Sequence, residues 1–135
     1  MTDLVFDSSA LLAYFLDAPG GNGVEEWLGR LSSDTQLKGW MTATSMGELY
    51  HLVMRRRNES QADRALKALQ SLPITFVPVE SELALAAARI KATHPVSYTD
   101  ALAAALTIEV KGLLVAADPV FDSLRGLPFF SVQYL

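Results

Sequence analysis

Four carboxylates in this sequence stand where they could do chemistry. Asp7 directly follows the apolar run Leu4-Val5-Phe6, and Asp118 directly follows the apolar run at 113–117, so each opens a turn at the end of a strand. Glu48, in Ser45-Met46-Gly47-Glu48, and Asp100, in Ser97-Tyr98-Thr99-Asp100, each stand three residues after a serine that begins a helical pattern. Gathered at one point, these oxygen donors would suit Mg²⁺ or Mn²⁺ rather than Zn²⁺, since the chain has no cysteine and its two histidines, His51 and His94, are not clustered. Each acid also has a plainer reading. Ser-x-x-Glu/Asp is the capping-box pattern, in which the acid only closes a helix start, and Asp-Ser and Asp-Pro are ordinary turn pairs after strands. The set weighs against the plain reading. Asp100 opens a helix at 99–110 whose Ala101-Leu102-Ala103-Ala104-Ala105-Leu106 has no polar face. Its carboxylate is therefore expected in a largely buried region, where an unpaired charge is costly. No lysine or arginine stands nearby in any of the four local contexts, whereas one divalent cation would satisfy several carboxylates together.

The net charge of -4 speaks at first against a nucleic-acid partner. If the four acids share one site they carry that charge alone, and the other eleven of the fifteen Asp and Glu balance the eleven Lys and Arg. The basic run Arg55-Arg56-Arg57 is a candidate RNA contact. It also reads as a solvated helix terminus favoured by the helix dipole, and the two readings are compatible.

The elements that must position these groups alternate along the chain. A strand at 4–6 leads into a helix at 10–16, and a loop rich in glycine at 17–23 leads into a second helix from Val24, with Trp27, Leu28 and Leu31 at helical spacing. A short strand at 38–41 is followed by a helix capped by Thr44 or Ser45, which ends in the arginine run. A helix at 61–72, a strand at 74–77 between two prolines, and a helix at 81–93 ended by His94-Pro95 come next. The apolar helix at 99–110, the continuous apolar strand at 113–117 and a last, edge strand at 128–132 complete the order. Strands separated by helices imply a three-layer α/β/α sandwich with a central, mainly parallel sheet, and ligands of such sheets bind beyond the carboxyl ends of the strands. Asp7 and Asp118 should emerge together at that edge. With 135 residues, half of them hydrophobic, the chain is expected to fold as a single domain, 1–135. Its longest apolar stretch is too short to span a bilayer and its start at Thr2-Asp3 is unlike a signal peptide, so it is expected to be cytoplasmic and not to bind membranes.

Four segments together resemble the PIN-domain ribonucleases, and among them the VapC toxins of type II toxin-antitoxin pairs. The start, Leu4-Val5-Phe6-Asp7-Ser8-Ser9-Ala10-Leu11-Leu12, is similar to the family's first motif, in which the first catalytic acid is followed two places later by Ser or Thr, here Ser9. Ala43-Thr44-Ser45-Met46-Gly47-Glu48-Leu49 resembles the segment with the second acid, and Tyr98-Thr99-Asp100-Ala101-Leu102 the third. Leu114-Val115-Ala116-Ala117-Asp118-Pro119-Val120-Phe121 is similar to the fourth, with one departure: the hydroxyl residue usual two places before the acid is Ala116. The resemblance implies that Asp7, Glu48, Asp100 and Asp118 are the catalytic, metal-holding acids, with Ser9 in support. It implies a Mg²⁺- or Mn²⁺-dependent endoribonuclease leaving a 5′-phosphate and a 3′-hydroxyl, a homodimer, and a cognate antitoxin protein that blocks the site. Two alternatives stand beside it: a PIN fold that is catalytically silent and only binds RNA or protein, and a receiver-type phosphoacceptor domain. The latter lacks an acidic pair after the first strand and a lysine after a late apolar strand.

Overall fold

A computed structural model describes residues 3–135; Thr2, part of the polar start noted above, lies outside the described residues. Five strands, β1 (Leu4–Phe6), β2 (Gly39–Thr42), β3 (Ile74–Val77), β4 (Leu113–Ala116) and β5 (Val132–Tyr134), form one sheet in the order β3-β2-β1-β4-β5, and every pairing is parallel. The helices are α1 (Ser8–Phe15), α2 (Gly21–Ser33), α3 (Ala43–Arg56), α4 (Glu59–Gln70), α5 (Ser81–Thr93) and α6 (Tyr98–Glu109), with a 3₁₀ turn at Pro119–Leu124. Alternate strand residues divide the core. Leu4, Phe6, Met41 and Val115 pack against α1 to α4 on one face, and Val5, Leu114 and Ala116 against α5 and α6 on the other. This is the expected sandwich, and its all-parallel sheet follows from the helical crossover between every pair of strands up to β4. Among the described residues no helix is long and apolar enough to cross a membrane.

The chain leaves β1 at the centre of the sheet, builds β2 and β3 to one side, then returns through α5 and α6 to build β4 and β5 on the other. The gap between β1 and β4 is therefore the point at which the winding direction reverses, and a crevice opens there at the carboxyl edge. Gly112 seats β4 beside β1: a Cβ at this residue would stand 2.5 Å from the Asp3 carbonyl oxygen, which accepts the Leu113 amide at 2.8 Å. Only a residue without a side chain lets the strands approach this closely.

The first and fourth helices each start two residues before their expected positions, and three further boundaries differ for identifiable reasons. The second helix begins at Gly21, inside the expected loop, because Gly20 turns the chain with φ +98° and a Cβ on Gly21 would lie 2.9 Å from the Ala13 carbonyl oxygen; glycines here start the helix rather than interrupt it. The third helix is capped by Thr42, the last residue of β2, whose hydroxyl accepts the Ser45 amide at 2.9 Å, and neither Thr44 nor Ser45 is the cap. The last strand is Val132–Tyr134 rather than 128–132. Phe129 takes φ +65°, and Phe130 is buried in the α5–α6 core, so the chain turns inward before it pairs with β4.

Candidate active site

Each acid is carried to the crevice by a different element. Asp7 ends β1 and caps α1: its Oδ2 accepts the Ser9 amide at 3.1 Å and the Ser9 hydroxyl. Asp118 follows β4 and caps the 3₁₀ turn, its Oδ1 accepting the Val120 amide at 3.1 Å. Asp100 lies in the first turn of α6, where Ser97 is the cap and accepts the Asp100 amide at 3.1 Å. For Asp100 the cap forms at Ser97, and that does not compete with a place in the cleft. Glu48 is different. It stands in the second turn of α3, beyond reach of the cap, and its Oε1 accepts the Ser8 hydroxyl. The capping-box reading of Glu48 falls away, since Ser45 sits inside the helix rather than at its start.

The four acids line one cleft of about 530 Å³ together with Ser8, Ser9, Leu12, Leu52, Arg56 and Ser97. Asp7 is 2% exposed, whereas Asp118 is exposed and Asp100 and Glu48 are half-buried. The sequence reading placed Asp100 as the buried charge. Asp7 takes that part because it leaves the central strand with neighbours on both sides, while Asp100 begins a helix at the rim. Burial, with a smaller push from the charges of Asp100 and Glu48, raises the Asp7 pKa to about 6 against the pull of its two Ser9 hydrogen bonds. Asp100 is raised as well, first by burial and then by Glu48 and Asp118, with the Ser97 hydroxyl and amide opposing. Carboxylates that repel one another in this way are relieved by protonation or by a nearby positive charge.

The observation that tests a cation here is Asp7 Oδ1, a buried carboxylate oxygen with no hydrogen-bond partner. An ionised oxygen left unpaired in a protein interior is costly, and it becomes reasonable once a cation accepts its lone pair. Among the described residues no three acids or histidines already stand together at ligand spacing. That spread suits a hydrated Mg²⁺, which takes one or two carboxylates directly and reaches others through its waters. The oxygen-only donor set fits Mg²⁺ or Mn²⁺.

Ser9 does more than start a helix. Its hydroxyl oxygen accepts the amides of Ala117 at 3.0 Å and Asp118 at 3.2 Å while its proton goes to Asp7, so it joins the ends of β1 and β4 across the crevice. Ala116, where the resemblance leads one to look for a hydroxyl, is fully buried in the α5–α6 core, and it is Ala117 that lines the cleft. All three arginines are exposed at the end of α3, and of them only Arg56 lines the cleft. The reading that no cation stands near the acids is corrected here. Glu48, Leu52 and Arg56 recur every four residues along one face of α3, a spacing that could have revealed it. Ser8 was also missed as a separate contributor, and its signal was only a second hydroxyl beside Asp7.

An acid-lined cleft at the switch point of a parallel sheet defines the class of site. The PIN domain family matches residues 4–127, and the chain belongs to that family. No curated protein sequence matches the chain significantly. Among solved structures, a chain of the DNA-bound VapBC complex from Salmonella typhimurium superposes with a TM-score of 0.75 at 13% identity, covering 99% of this chain and 98% of that one. A chain of VapBC2 from Rickettsia felis, bound to a DNA fragment from its promoter, gives 0.74 at 11% identity and covers 99% of both chains. VapC20 of Mycobacterium tuberculosis, a toxin that cleaves the sarcin-ricin loop, gives 0.74 at 19% identity over 90% of this chain and 95% of that one. The fold is that of the VapC-like PIN proteins.

Proposed function

We propose that this chain is a Mg²⁺- or Mn²⁺-dependent endoribonuclease that acts as the toxin of a VapBC-type pair. The observation that carries the reading is the convergence of Asp7, Glu48, Asp100 and Asp118 on one cleft in which a buried Asp7 oxygen has no partner. Asp7, Glu48, Asp100 and Asp118 would hold the cation, directly or through water. When bound, it would supply an activated water and stabilise the charge on the leaving oxygen. The chain's own groups do the positioning. Ser9 holds Asp7 and the start of the 118–120 turn in register, and Arg56 offers a guanidinium at the cleft that no carboxylate engages, since Asp122–Arg125 is the only ion pair among the described residues. A cation on an acid-lined cleft draws in a substrate phosphate that the carboxylates would otherwise repel. Hydrolysis then adds water across one phosphodiester bond, with hydroxide going to phosphorus and the proton to the departing 3′ oxygen. The toxin role is supported by the VapBC complexes among the structural neighbours, with an antitoxin as the expected partner and a second copy of the chain as a further one.

The direct test is incubation of the purified chain with mixed RNA. Cleavage to 5′-phosphate and 3′-hydroxyl ends is expected with Mg²⁺ or Mn²⁺ and none in excess chelator. Cleavage that persists in chelator, or no cleavage with either ion, overturns the reading. The three arginines separate in a binding assay run in chelator, where RNA stays intact. Arg56→Gln is expected to flatten the dependence of log affinity on log salt by about 0.7, the share of one phosphate on a single strand, while Arg55→Gln and Arg57→Gln leave it nearly unchanged. Equal effects at all three residues would return the run to a general basic terminus.

A further inference from the structure

Three of the four acids stand at a helix start, and the fourth does not. Asp7 and Asp118 each accept an amide two residues on, and Asp100 is anchored through its own amide, which donates to the Ser97 hydroxyl. Glu48 lies in the second turn of α3, where the amides are already engaged in the helix, and it has a longer side chain with more rotatable bonds than any of the aspartates. Its one hydrogen-bond partner among the described residues is the Ser8 hydroxyl, from a residue 40 positions away. Ser8 is the first residue of α1 and only 3% exposed, and Glu48 is the acceptor its hydroxyl finds at the cleft. Ser8 and Ser9 are adjacent yet serve different acids: Ser9 donates to Asp7, and Ser8 reaches across to α3.

We propose that Ser8 is the positioning residue for Glu48, holding its carboxylate over the cleft so that it is ready for the cation before the cation arrives. This rests on the metal-site reading above. A hydroxyl that donates to one carboxylate oxygen leaves the other oxygen free and fixes its direction. Without it, Glu48 must be ordered at the moment of binding, and outer hydrogen bonds of this kind are worth about 10- to 100-fold in metal affinity.

The test is Mn²⁺ binding by titration calorimetry on the full chain, which needs no turnover. Ser8→Ala is expected to weaken Mn²⁺ binding by about tenfold, and Ser8→Thr, which keeps the hydroxyl, to restore most of it. If Ser8 acts through Glu48, adding Ser8→Ala to Glu48→Gln changes affinity by less than about twofold, the non-additivity expected of two residues in one network. Wild-type Mn²⁺ binding with Ser8→Ala equally tight, or a Ser8→Ala loss that adds in full to that of Glu48→Gln, overturns the role of Ser8 and leaves the metal site standing. A wild type that takes up no Mn²⁺ overturns the metal site and the Ser8 proposal with it.

Discussion

Asp7→Asn is expected to abolish metal-dependent RNA cleavage, by about 10³-fold or more, while leaving the metal-free fold at least as stable as the wild type at pH 8. The two effects have one cause. The aspartate is buried, its Oδ1 has no partner, and both Asp100 and Glu48 repel its charge, so the folded apo-protein is under strain from an ionised group at this position. Asparagine keeps the shape and leaves an oxygen to accept the Ser9 amide and hydroxyl, yet removes the charge. The charges of Asp100 and Glu48 then act on a neutral amide instead of a third carboxylate. A residue kept for packing alone behaves in the opposite way, losing stability when changed and sparing activity. Melting in chelator and cleavage in Mn²⁺, both on purified variant, decide the matter. An Asp7→Asn chain that melts well below wild type at pH 8, or one that still cleaves at the wild-type rate, would remove Asp7 from the proposed role.

The stability of the metal-free wild type should rise as the pH is lowered, against the usual behaviour of carboxylate-rich proteins. Asp7 has a folded pKa of about 6, above the ordinary 3.8, so between these values the folded chain binds more protons than the unfolded one. Stability then increases as pH falls from 8 through 6 toward about 4, and is lost again as pH rises through 6. For a shift of this size the gain is about 3 kcal/mol, and the raised Asp100 acts in the same direction. A divalent cation should reverse the trend. Mn²⁺ binds the native cleft and not the unfolded chain, so at neutral pH a hundredfold excess over the dissociation constant stabilises by about 2.7 kcal/mol, and the effect fades as acid protonates the ligands. Thermal melting from pH 4 to pH 8, with chelator and with Mn²⁺, gives two curves that should converge at low pH and separate at high pH. A chelator curve that falls steadily toward pH 4, or a midpoint at pH 8 that Mn²⁺ does not raise, runs against the carboxylate cluster.

Much of this molecule is written locally. The strand at 74–77 and the helix at 81–93 appear where proline, serine and apolar spacing put them, and the all-apolar helix is buried between the sheet and α5. Asp7 and Asp118 could be placed at one sheet edge because each directly follows an apolar run and parallel strands share a direction. Such features depend on neighbours in the chain, and period and capping record them. Other features depend on residues far apart in the chain. The last strand forms at Val132–Tyr134 because β4 offers a free edge and Phe130 finds a core, neither of which a tail of aromatic residues reveals by itself. The capping motif at Glu48 looked the same as that at Asp100, and only the start of α3 at Ala43, fixed by Thr42 at the end of β2, separates a helix cap from a free carboxylate. The division of burial among the acids, the reach of Ser8 to Glu48 and the choice of Arg56 over its two neighbours all arise from helices meeting across the crevice. Propensity acts over a few residues, whereas desolvation and charge repulsion act over a few ångströms, and here those ångströms lie between segments 40 residues or more apart.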